Sequence, residues 1–396
     1  MEGNYIGTDA TGTADLGNFS NGVFINGAPG NTIGGTASVA RNVISGNANG
    51  VLIQGSGATA NAVEGNYIGT DATGTANLGN LIYGVQINGA PGNTIGGTAS
   101  GARNVLSGNG SSGVLIENSG ATANAVEGNY IGTDATGTAD LGNFRNGVFI
   151  ENASSNTIGG TASGARNVIS YNDSHGVEIR GAGTTGNTVT GNSIHDNAGL
   201  GINNSDGGNT ELTPPTVTAA GSASGSSDCA SCTIEVFSDA ADEGKTFHGS
   251  TMTASGACPC SWSFAGAVTG PNITATVTDI SGNTSEFSVP FVADSCPPMP
   301  WPTPAGDDDC DGTTSADETL IGTDPDDPCG ANAWPPDFDD NMVINTTDVF
   351  QVLPPNFGQA VTTHLVRQNL NPADAVINTT DVFRVLPPFL GSSCVP

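Results

Sequence analysis

The residues best spaced for chemistry lie near the C-terminus. Asp307, Asp309 and Asp311 alternate along the chain, Gly312 follows, and Glu318 stands twelfth from Asp307. In the spacing D-x-D-x-D-G-x5-E, oxygens at alternate positions and a closing carboxylate surround a hard cation. Thr313 offers its backbone carbonyl, Gly312 permits the sharp turn, and Glu318 supplies two oxygens. The expected cofactor is calcium, which accepts a larger and looser oxygen shell than magnesium. A second run places Asp337, Asp339, Asn341, the carbonyl of Val343, Asn345 and Asp348 at positions 1, 3, 5, 7, 9 and 12, with Met342 where glycine is expected. A third stretch, with Asn369, Asn371, Asp374 and Asp381, has one extra residue and no acid at its first position. A merely acidic linker is the competing reading.

A second set of chemically capable residues sits in the first half. Segments of the form G-V-x-I recur, and their outward positions carry Phe24, Leu52, Gln86, Leu115, Phe149 and Glu178 in turn. Two residues on, the column reads Asn26, Gln54, Asn88, Glu117, Glu151 and Arg180. Glu117, Glu151, Glu178 and Arg180 therefore gather late in the series, with His175 close by. They are the candidates for general acid–base work on a sugar. A solvated ion-pair patch, or a sugar-binding groove with Phe149 as a stacking platform, are the alternatives. Asp9, Asp71 and Asp134, and likewise Arg41, Arg103 and Arg166, recur in register and read as scaffold. Calcium held by the three aspartates is a second possibility. His195-Asp196-Asn197 reads as a corner of the last repeat.

The charge balance limits the partners. Eight Lys and Arg face 38 Asp and Glu, a net charge of −30 that repels a phosphate backbone, so nucleic acid is excluded. No apolar run approaches the length of a membrane-spanning helix. Residues 296–396 alone hold 15 acids and 2 bases, which makes this segment the densest in carboxylate. All eight cysteines lie from Cys229 onward. An even count in an acidic chain reads as disulfides. Zinc bound by Cys229, Cys232, Cys258 and Cys260 is the rival, although no histidine is spaced to join those thiols.

These groups must be positioned by repeated elements. EGNYIGTDATGTADLGN fills residues 2–18, recurs with one change at 64–80, and recurs unchanged at 127–143. G-V-x-I segments begin at Gly22, Gly50, Gly84, Gly113, Gly147 and Gly176, with a G-L-G-I variant at Gly199. N-T-I or N-A-V and then N-V-I-S or N-Y-I-G follow in each unit. Three short strands per coil of 23 residues, with Asn and Gly at the corners, predict a parallel β-helix of about seven coils. Its core would take Val23, Ile25, Val51, Ile53, Val85, Ile87, Val148 and Ile150. Stacked asparagines such as Asn47, Asn109 and Asn172 would bond from coil to coil. The first repeat opens inside a unit and no leader-like segment precedes it, so the chain reads as a piece of a longer, secreted protein.

Residues 1–211 resemble the right-handed β-helix repeats of bacterial surface proteins, the pectin-lyase-like superfamily. That resemblance implies a scaffold which in many relatives acts on acidic polysaccharides. Residues 212–295 show short alternating strands such as C-T-I-E-V-F-S and S-W-S-F, and resemble the immunoglobulin-like β-sandwich modules of secreted proteins, here read as a spacer. Residues 296–304 form a Pro-rich linker. Residues 305–396 carry the Asp307 loop, similar to thrombospondin type-3 repeats. They also hold the duplicated I-N-T-T-D-V-F-x-V-L-P-P at 344–355 and 377–388, each with a short helix expected. This pair resembles a dockerin domain, which implies a cohesin-like protein partner. The fold class expected is all-β: solenoid, sandwich, then a small calcium-loop domain. Two functions follow. One is a secreted or cell-surface structural and adhesive protein with a glycan-binding face and a calcium-dependent anchor. The other is a lyase or hydrolase on acidic polysaccharide, docked through its tail.

Overall fold

The computed structural model describes residues 1–219 and 223–292. Residues up to Ser205 form coils of three short strands, and each strand pairs in parallel with its equivalent in the next coil. Sheet A holds seven strands, from Tyr5–Ile6 to Ser193–His195. Sheet B holds seven, from Val23–Asn26 to Ile202–Ser205. Sheet C holds six, from Thr32–Gly34 to Thr188–Thr190. The parallel solenoid is therefore present as expected, with the V-x-I segments forming sheet B.

Alternation explains the core. In Val85–Asn88, Val85 and Ile87 are fully buried, while Gln86 and Asn88 face outward. Val51 pairs with Val85 and Ile53 with Ile87, so inward side chains stack in continuous files. Buried isoleucines of all three sheets, among them Ile44, Ile87 and Ile95, join one apolar cluster. Burying each contributes about 1.5–3 kcal/mol.

Three buried asparagine files fix the corners. Asn47 donates its side-chain N–H to Asn80 Oδ1 at 3.2 Å, Asn80 to Asn109 at 2.9 Å, and Asn109 to Asn143 at 2.9 Å. The file begins at Asn18 and ends at Asn197. Parallel files run from Asn4 to Asn192 and from Asn31 to Asn209. In each, the amide N–H points toward the next coil. An asparagine satisfies buried corner N–H and C=O groups that a solenoid cannot otherwise pair.

The last coil departs from the expected frame. Val177 pairs with Ile202, not Leu200, so Gly201 is the equivalent of Gly176 and the shortest unit is 25 residues rather than 23. G-L-G-I contains two overlapping glycine frames, and only the second places Ile202 in the core.

A β-sandwich follows, with a three-stranded antiparallel sheet (Thr216–Ala219, Ser224–Ser227, Cys260–Ser263) facing a four-stranded one. Trp262 is buried within it. Cys229 is disulfide-bonded to Cys232 and Cys258 to Cys260, which uses the thiols the zinc alternative required. The sandwich, expected as a spacer, packs directly on the last coil. It closes the solenoid end: Gly244 and Ile194 bond to each other, Phe287 packs on the solenoid core, and the Thr284 hydroxyl accepts the Val189 N–H at 3.0 Å.

Candidate functional site

Sheet B positions the late-coil residues. Glu117, Glu151 and Arg180 are consecutive rungs of one outward file, beside the file of Leu115, Phe149 and Glu178. The strands are short and in register, so side chains of neighbouring coils stand about 4.8 Å apart. Like charges at that spacing need donors between them, and the structure supplies them. Gln86 and Asn88 both donate to Glu117 Oε1, at 2.7 and 2.6 Å. Arg180 donates to Glu151 Oε1 at 2.6 Å and lies 3.8 Å from Glu178. Asn146 donates to Glu178 Oε2 at 2.7 Å, and the Ser205 hydroxyl to Oε1 at 3.3 Å. Hydrogen bonding to Glu151, against partial burial, makes Arg180 hold its proton more tightly than a free arginine.

The structure thus brings Glu117, Glu151, Glu178 and Arg180 onto one face, ties Arg180 to Glu151 and Glu178, and leaves Glu117 bonded to Gln86 and Asn88 of the preceding coil. Each carboxylate already accepts protein hydrogen bonds. His175 stands on the adjoining corner, where its backbone N–H donates to Asn146 and its ring Nδ1 accepts the Leu200 N–H at 2.9 Å. The ring is thus engaged with the last coil. Phe149 is not a free stacking platform: the Arg180 guanidinium lies 4.6 Å from its ring centroid and occupies that side of the ring. Leu115, though outward, is only 2% exposed, covered between its neighbours Gln86 and Phe149. Burial and the charge of Glu117 push the Tyr83 hydroxyl up.

Sequence reasoning missed the apolar column beside this face. Phe19, Leu81 and Phe144 each follow a file asparagine, Asn18, Asn80 and Asn143, and are 103%, 67% and 68% exposed. They recur every second coil, a pitch of about 9.6 Å. The signal was present as the residue after L-G-N in each long repeat.

The register aspartates serve their own loops. Asp71 Oδ1 accepts the Thr75 and Ala76 N–H groups, and Oδ2 accepts the Thr73 hydroxyl. Asp9 does the same with Thr11, Thr13 and Ala14. Slight burial opposes the shift at Asp71, but these bonds win and hold its carboxyl below the usual range. His195 and Asp196 meet at 2.7 Å, with Lys245 a further 3.8 Å from Asp196. Asn197 belongs to an asparagine file and His195 to a sheet A strand. The calcium ligands expected from Asp307 to Asp381 lie outside the described residues. No helix among the described residues is long and apolar enough to cross a membrane.

No protein-family model matches this chain, and no curated protein matches it.

Proposed function

We propose that this is a secreted or cell-surface structural and adhesive protein whose solenoid presents sheet B and its apolar corner to an uncharged glycan. One observation carries the reading. Phe19, Leu81 and Phe144 project from a rigid scaffold at a constant two-coil pitch, beside a file of amide and carboxylate side chains. The rings of Phe19 and Phe144 and the aliphatic side chain of Leu81 between them give sugar faces an apolar surface, and amides give hydroxyls partners. A ligand that meets all three must be linear and periodic. The two disulfides fit an oxidising compartment. Calcium-dependent anchoring through residues 305–396, with a cohesin-like partner, completes the proposal and rests on ligand spacing alone. The lyase or hydrolase alternative draws less support, because Arg180 is held by Glu151 and Glu178 and is not offered to a uronate.

The test is binding of the full chain to a panel of neutral polysaccharides. Phe19→Ala combined with Phe144→Ala should weaken retention at least tenfold without altering the melting temperature, since neither ring is buried. Unchanged retention would remove the adhesive role from this face.

A further inference from the structure

We propose that a second site, on the outer face of sheet A, binds an oxyanion carried by a glycan, either a sulfate ester or a uronate carboxylate. The site is the cleft between Arg41 and Arg103, of about 240 Å³. That is the share of roughly eight liquid waters at ~30 Å³ each. Tyr67 and Val105 form its floor, and Ser38 and Ser100 its rim. It is remote from the sheet B face and does not depend on that reading.

Both guanidinium groups are preset. Arg41 donates Nε–H to the Gly65 carbonyl at 3.3 Å and stacks 4.0 Å from the Tyr67 ring centroid. Arg103 repeats this with Gly128 at 3.0 Å and Tyr130 at 4.1 Å, and also donates to the Tyr130 hydroxyl. Stacking and the Nε bond fix the plane of each fork; Arg103 spends one Nη1 bond on the Tyr130 hydroxyl, and the other Nη donors of the pair make no hydrogen bond among the described residues. Fixed forks match the paired oxygens of carboxylate and sulfate. Among the described residues, no carboxylate lies within 4.0 Å of either group. The same holds of Arg145 and Arg166, whereas Arg41 and Arg103 together line one cleft. Arg180 shows the contrast, bonded to Glu151.

The spacing between the two forks is also fixed. A side chain at Gly101 would collide with the Thr36 carbonyl, so the loops that carry Arg41 and Arg103 are in direct contact. The third arginine of the series is consumed elsewhere. Arg166 lies 5.4 Å from the Phe247 ring centroid, and its charge is felt by Glu235 of the sandwich. The cleft is therefore particular to the Arg41–Arg103 pair.

The experiment is retention of the full chain on sulfated dextran, polygalacturonate and neutral dextran at low and high salt. We expect salt-sensitive binding to an anionic polymer, and which polymer binds identifies the oxyanion. Charge-assisted hydrogen bonds of this kind correspond to tenfold or more in affinity. Arg41→Gln with Arg103→Gln should remove that factor, while Arg145→Gln, a single charge removal at the corner before sheet B, should not, and neither Arg41→Gln nor Arg103→Gln alone should match it in being silent. Ser38→Glu with Ser100→Glu places two carboxylates on the exposed rim without disturbing the stacked rings, and should abolish binding even if the arginine variant folds poorly. Equal retention on neutral dextran, no retention on either anionic polymer, or retention unaffected by the rim carboxylates overturns the site.

Discussion

Asn197 ends its file on a carboxylate: Glu243 accepts its backbone N–H at Oε2 and its side-chain N–H at Oε1, both at 3.1 Å. Every asparagine before it donates to the amide oxygen of the next coil, so the last one has donors and no further coil to receive them. Glu235 plays the matching part on sheet C, taking the Thr190 hydroxyl at 2.6 Å and the Gly191 N–H at 3.0 Å. Carboxyl acceptors from the sandwich thus complete a solenoid whose free end is rich in N–H.

The first prediction concerns pH. Burial pushes the Glu243 carboxyl from 4.5 up to about 7, against the pull of the Asn197 bonds and with the charges of Asp239 and Asp242 adding to it. The folded protein therefore holds this proton better than the unfolded chain does. Its contribution is complete below about pH 4.5 and is lost as pH rises toward 7, a change of about 3 kcal/mol. Glu235 shifts in the same direction, chiefly by burial. The lowered carboxyls of Asp9, Asp71 and Asp134 act in the opposite sense, and only below their ordinary 3.8. Denaturant midpoints at pH 5 and pH 8 should favour pH 5, and Glu243→Gln should shrink the difference. An undiminished difference in that variant would assign the effect to other groups.

The second concerns the files. Asn109 accepts both the backbone and side-chain N–H of Asn80. Asn109→Ala strands two buried donors at about 1–3 kcal/mol each. Urea unfolding should show a loss of about 2–5 kcal/mol. Asn109→Asp should be no better, because its carboxylate faces Asn143 Oδ1, an acceptor.

Core packing gives the third. Ile87 is fully buried between Ile53 and Ile116. Ile87→Ala should cost about 2–5 kcal/mol. Ile87→Asp buries an unpaired charge and should open the neighbouring coils, read out as new protease cleavage within residues 51–117.

The fourth concerns the tail, where the proposal rests on the spacing of Asp307, Asp309, Asp311 and Glu318. Calcium titration of the full chain should show binding that Asp309→Ala and Asp339→Ala each reduce by one event. Chelator should lower the melting temperature and protease resistance of residues 305–396 by mass action. Magnesium should substitute poorly. If chelator changes neither property, the anchoring role fails with the loops.

Sheet B was readable because Val and Ile alternate with polar residues at a period set by the strand itself, and Val85 and Ile87 sit where that period puts them. The ion pair of Glu151 and Arg180 followed from the same register. The cap was not readable. Glu235 lies in T-I-E-V-F-S, where Ile234 and Val236 fill the sandwich core and Glu235 falls on the opposite face. Phe237 shares that face and is buried against Phe287, but a two-residue period does not say whether the cover comes from the sandwich itself or from the solenoid. The cover over Phe149 was hidden for a related reason. Register placed Arg180 one coil away, but the direction of a long flexible side chain is not written in its spacing.

The near-identity of the repeats makes the solenoid a counter of distance. Residues 64–126 form a block whose removal would join Val63 to Glu127 and hand each file an equivalent partner: Asn129 for Asn66, Asn143 for Asn80 and Asn156 for Asn93. Each such deletion or duplication shifts the reach by two coils, about 10 Å, and leaves the seam chemistry and the capped end unchanged. Length can therefore drift in discrete steps through recombination between copies while stability per coil stays nearly constant. The interval between whatever holds one end and whatever meets the other is set by copy number rather than by any single residue.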